Sequence, residues 1–134
     1  MKKIPLCCAA ALLATGAHAA PLLRCEVTYA GTTHTVQANV VSDPYPVPSV
    51  DIGGRFHFKP VMVGQGQRVE YIKLYSYLDT RKGPLLIQAV RYLPPFPAPA
   101  SGSEAVNLTG TQFLYAGPVE RELQYQCFLQ GVQP

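Results

Sequence analysis

The sequence predicts an all-β protein: a small antiparallel β-sandwich or barrel of about seven strands, preceded by a cleaved signal peptide. Three observations lead there. Short runs rich in valine, isoleucine, tyrosine, phenylalanine and threonine alternate apolar and polar residues with a period of two. Thirteen prolines and eleven glycines break these runs apart, with turn signals roughly every 8–12 residues. No amphipathic helical spacing of any length follows the first 19 residues.

The N-terminus has the three parts of an export signal. Met1-Lys2-Lys3 is basic, Ile4 to about Ala14 is apolar, and Ala17-His18-Ala19 offers the small residues that a signal peptidase reads. The cut is expected after Ala19, because a cut after Ala20 would place Pro21 directly behind the scissile bond. The apolar run is well short of the ~20 residues a spanning helix needs, so no membrane span is expected in the mature form. Cys7 and Cys8 sit at the start of the apolar run, whereas a lipidated cysteine would follow it. The signal looks like a bacterial one, which implies a periplasmic or secreted protein. Residues 1–19 are therefore the signal peptide, and residues 20–134 form a single β domain.

Loss of Lys2 and Lys3 leaves nine basic and eight acidic side chains, a balance of +1. A near-neutral domain gives no net electrostatic case for nucleic acid. The mature chain keeps two cysteines, Cys25 and Cys127. In an oxidising compartment an even pair forms a disulfide, and here only one intramolecular pairing exists.

The strands can be placed in order. Residues 22–29 put Cys25, Val27 and Tyr29 on one face. Ala30-Gly31 is a turn. Residues 34–41 put Val36, Ala38 and Val40 on one face. Residues 42–54 (SDPYPVPSVDIGG) contain three prolines without ladder donors and read as an edge or polyproline-like loop. Residues 55–63 carry Phe56 and Phe58 on one side and Arg55, His57 and Lys59 on the other. Gly64-Gln65-Gly66 reads as a hairpin turn; it lacks the third glycine and the following helix of a phosphate loop. Residues 68–78 are the clearest strand, with Ile72, Leu74 and Leu78 opposite Tyr71, Tyr75 and Tyr77. Residues 79–84 turn into a partner strand, 85–93. Residues 94–107 form a second proline-rich loop, read as exposed and mobile. Strands follow at 108–116 and 119–129, the last with Leu123, Tyr125, Cys127 and Leu129 on one face. The mature chain has no tryptophan, so an immunoglobulin-like arrangement is architecture only.

No catalytic set, cofactor motif or metal motif stands out. There is no G-x-S-x-G, C-x-x-C or H-E-x-x-H. The serines at 42, 49, 76, 101 and 103 have no obvious partner base. His34 and His57 are 23 residues apart and, with Asp43 or Asp51, would meet only through folding, so both read as strand-surface histidines. Glu120 and Glu122 read as a solvated strand face rather than a sugar-cleaving pair. Asn107-Leu108-Thr109 matches a glycosylation acceptor that a bacterial protein would not use.

The functional expectation rests on aromatic residues. Tyr71, Tyr75 and Tyr77 alternate against the core side of their strand, and tyrosine combines apolar area with a polar tip. Tyr45 lies between Pro44 and Pro46 in a segment, residues 43–49, expected to be stiff and extended. These four tyrosines are the expected contact surface for an envelope protein or glycan, in a non-enzymatic binding domain. The alternatives are a cell-envelope enzyme or accessory subunit with a site assembled from loops, and a structural envelope component.

Overall fold

The computed structural model describes Lys2 and residues 19–132. The rest of the expected signal peptide lies outside the described residues. Nine strands run in order: β1 (Leu22–Tyr29), β2 (Thr32–Val41), β3 (Val50–Ile52), β4 (Phe56–Gln65), β5 (Arg68–Thr80), β6 (Gly83–Tyr92), β7 (Ala105–Asn107), β8 (Gln112–Ala116) and β9 (Arg121–Gln130). They form one curled sheet, a half-barrel, in the order β6-β5-β4-β2-β1-β9-β7, with β3 added beside β4 and β8 beside β9.

The all-β expectation holds, and the alternation that carried it is visible in the burial. In β1, Leu23, Cys25 and Val27 are buried; in β9, Leu123, Tyr125, Cys127 and Leu129 are buried. Phe56 and Phe58 of β4 and Ile72 and Leu74 of β5 belong to the same core. Curling brings distant strands together. The Tyr125 hydroxyl of β9 donates to Gln88 Oε1 of β6 at 2.6 Å, and its ring lies 5.0 Å from that of Phe58. Cys25 stands directly opposite Cys127 in the β1–β9 ladder, and the two are joined as a disulfide across a sequence separation of 102.

The sheet is mixed rather than purely antiparallel. Val40 and Val41 of β2 pair in parallel with Met62 and Val63 of β4. The reason is the route between them: β3 forms the hairpin with β4, so β4 returns in the direction of β2. This seam also explains how Pro60 is tolerated inside a ladder. It stands between residues 56–58, which pair with β3, and residues 62–63, which pair with β2. No strand occupies that side of β4 at Pro60, so its missing N–H leaves no gap in a ladder.

Several boundaries differ from the sequence reading. The 64–66 turn moves to Gly66 and Gln67, and Gly64 and Gln65 stay in β4. Gly64 is needed there, because a Cβ would collide with the Arg68 carbonyl oxygen where the β4–β5 register shifts. The 42–49 segment is not extended throughout. Val47 N–H bonds to Pro44 O at 3.3 Å, and Tyr45 N–H bonds to Asp43 Oδ1 at 3.0 Å, so it folds into a turn at Tyr45. The second proline-rich loop is only partly exposed: β7 lies within it, paired to β9, and Phe96 packs on the core. The strand expected at 108–116 starts later. Asn107 Oδ1 accepts from Gly110 N–H, which makes residues 107–110 a turn. Glu120 is in a turn with φ 49°, so it does not share a strand face with Glu122.

Candidate functional site: a basic tyrosine face on β4 and β5

The outward side of β4 and β5 follows from the pairing register. His57 stands opposite Tyr77, Lys59 opposite Tyr75, Val61 opposite Lys73, and Val63 opposite Tyr71. On the next strand, Arg91 of β6 stands opposite Lys73. The alternation that buries Ile72 and Leu74 therefore turns Tyr71, Lys73, Tyr75 and Tyr77 outward together. All three tyrosines are half-buried, neither core nor freely exposed.

Positive charge lies over two of them, Tyr71 and Tyr75. Lys59 Nζ lies 4.8 Å from the Tyr75 ring centre. Lys73 Nζ lies 5.9 Å from Tyr71 and 6.0 Å from Tyr75. The Arg91 guanidinium lies 5.4 Å from Tyr71. Each is within the ~6 Å over which a ring quadrupole attracts a cation, at about 0.5–1 kcal/mol per exposed contact. Tyr75 and Tyr77 stack at 6.3 Å with an 18° tilt. The cationic side chains therefore lie along the row of rings.

Tyr45 joins them from the loop before β3. A cleft of about 340 Å³ is lined by Pro44, Tyr45, Lys59, Val61, Tyr71, Lys73 and Tyr75. Two lysines line it and no acidic side chain does. Tyr45 is 92% exposed, and Val61 is buried. Of the four tyrosines expected from the sequence, three meet in this cleft, and Tyr77 continues the row towards His57.

The sequence reading missed Lys73 and Arg91. The signal for Lys73 was present: it falls between Tyr71 and Tyr75 on the same face by simple alternation. Arg91 needs the β5–β6 register, which a bulge at Ser76/Tyr77 offsets. Of Arg55, His57 and Lys59, read from the sequence as sharing one side of a strand, only the last two lie in β4; Arg55 is in the preceding turn.

Beyond Tyr77 the row ends in a polar cluster. His57 Nε2 lies 3.1 Å from Asp79 Oδ2 and 3.8 Å from Asp51 Oδ1. His57 Nδ1 lies 3.5 Å from Ser49 Oγ. His57 does meet Asp51, as folding would require; His34 and Asp43 are not part of the cluster, and Asp79 was not foreseen. A larger groove of about 530 Å³, lined largely by Val69, Pro94, Pro95, Phe96 and Val132, contains none of the expected site residues. No helix among the described residues is long and apolar enough to cross a membrane.

Neither family models, nor curated protein sequences, nor solved structures show a significant match to this chain.

Proposed function

We propose that this chain is an exported, non-enzymatic binding domain of the cell envelope, and that its β4–β5 face holds an anionic protein or glycan partner. The observation that carries this reading is the cleft itself: cations ordered over tyrosine rings, with Tyr45 at the rim and no carboxylate in the lining. Aromatic faces supply contact area at low entropy cost, and the ammonium groups supply attraction to negative charge. The export signal read from Met1 to Ala19 supports the compartment. The disulfide suits an oxidising environment.

The test is co-sedimentation of the purified protein with isolated cell envelopes at rising salt. Binding is expected to weaken steadily with ionic strength, because exposed charges are screened beyond about 8–10 Å at physiological salt. The Lys59→Ala/Lys73→Ala double variant should lose about 1–2 kcal/mol of affinity, the scale of the few contact residues that carry most of a binding energy. Protease treatment of the envelopes separates a protein partner from a glycan. Binding that is insensitive to both salt and the double variant would refute the proposal.

A further inference from the structure

We propose that Asp51, His57 and Asp79 form a zinc site with one coordination position open to solvent. The three residues come from adjacent strands. Asp51 of β3 pairs directly with His57 of β4, and Asp79 lies two residues beyond Tyr77, the β5 residue opposite His57. The Asp79 backbone N–H is fixed to Arg55 O at 2.8 Å, and the Arg55 N–H is fixed to Ile52 O at 3.3 Å. The strand ends that carry the cluster are therefore tied together by backbone.

Their ligand atoms lie within 4.8 Å of one another. The separations from His57 Nε2, 3.1 Å to Asp79 Oδ2 and 3.8 Å to Asp51 Oδ1, bracket the ~3.4 Å between ligands set ~2.1 Å from a tetrahedral metal. A proton fits this arrangement less well. The imidazole Nε2 carries at most one hydrogen, which serves one carboxylate; Asp51 then keeps only the Gly54 N–H, 3.1 Å from its Oδ2, and solvent, with no bond from the imidazole it faces. Among the described residues, neither aspartate has a lysine or arginine within ion-pair distance. Two carboxylates thus converge on one imidazole nitrogen without a fixed counter-charge, and a divalent cation supplies it.

Ser49 is a second and separate observation. A metal on Nε2 requires the ring proton on Nδ1, and metal-bound histidines commonly donate that proton to an acceptor. Ser49 Oγ stands 3.5 Å from Nδ1. Imidazole nitrogen and carboxylate oxygen are both ligand types that zinc takes, and three protein ligands leave a fourth position for water or a partner group. His57 is partly buried, with 22% of its side chain exposed, and Asp51 is the open side of the site at 59%.

The experiment is zinc titration of tag-free, disulfide-intact protein after chelator treatment, read by competition with a chromophoric chelator. One zinc ion per chain is expected. His57→Gln, Asp79→Asn and Asp51→Asn should each weaken binding at least ~10-fold, and Ser49→Ala by about 10-fold. His34→Gln should leave it unchanged. X-ray absorption of the zinc-loaded wild-type protein needs no variant to fold; it should show only nitrogen and oxygen neighbours with a single imidazole. Absence of saturable binding, loss of binding in His34→Gln with retention in His57→Gln, or a first shell with two imidazoles or sulfur would overturn the site.

Discussion

At the scale of single residues, the molecule depends on side chains whose neighbours come from far along the chain. Tyr125 shows this well. It is buried, it contacts Phe58, and its hydroxyl reaches Gln88 on the far side of the curl. Burial, with a smaller contribution from nearby Tyr92, pushes its phenol well above the usual range. The sign follows from linkage: a raised folded-state value means stability is complete below the unfolded value of about 10 and declines as pH rises above it. The urea midpoint is therefore expected to stay level from pH 7 to 9 and to fall above about pH 10. Tyr125→Phe should flatten part of that fall; Tyr92, also raised by burial, accounts for some of the remainder. An alkaline slope unchanged in Tyr125→Phe would contradict this placement. Legibility divides along the same line. That Tyr71, Tyr75 and Tyr77 share a face is local alternation and could be read directly. That Asp79 meets His57 depends on which residue of β5 stands opposite which residue of β4. That register is set by the irregularity at Val63/Gly64 and by a turn that the glycine pattern placed one or two residues early.

At the scale of elements, the long strands were legible because each buries one face. A one-residue slip would expose Leu23, Cys25 and Val27 together. The short strands β3 and β7 were hidden. Each is three residues long and lies in a proline-rich segment, where composition argues against a strand. They form because an existing edge accepts them: β4 takes Val50–Ile52 and β9 takes Ala105–Asn107. The disulfide belongs to this scale, since it ties the first long strand to the last. Constraining an unfolded loop with a sequence separation of 102 stabilises the fold by at most about 4–5 kcal/mol on the chain-entropy model. The Cys25→Ala/Cys127→Ala variant should lose a large part of that in urea unfolding, against a total of about 5–15 kcal/mol for a domain. A loss below about 1 kcal/mol would show that the link constrains little.

At the scale of the whole molecule, the all-β reading of the sequence holds, while the route of the chain between β2 and β4 was not legible. The parallel seam of β2 against β4 spans only two residue pairs, and nothing in local alternation marks it. Its consequence is functional. The connection that this parallel pairing requires carries residues 42–49 to the outward side of β4 and β5, so that Tyr45 meets Tyr71 and Tyr75 across one cleft. The loop contributes through a turn at Tyr45 rather than as the extended segment its prolines suggested. Binding energy is therefore expected to sit in the ordered lysine–tyrosine array, with the loop as its rim.

Site-specific photocrosslinking in intact envelopes shows whether a partner lies against the cleft. A photoreactive residue is placed at Tyr45 or Tyr75 within the cleft, and at Tyr115, an exposed position on β8, as the control. A discrete adduct is expected from Tyr45 and Tyr75 that disappears in the Lys59→Ala/Lys73→Ala background, and none from Tyr115. Adducts from Tyr115 alone, or no adduct from any of the three positions, would contradict it.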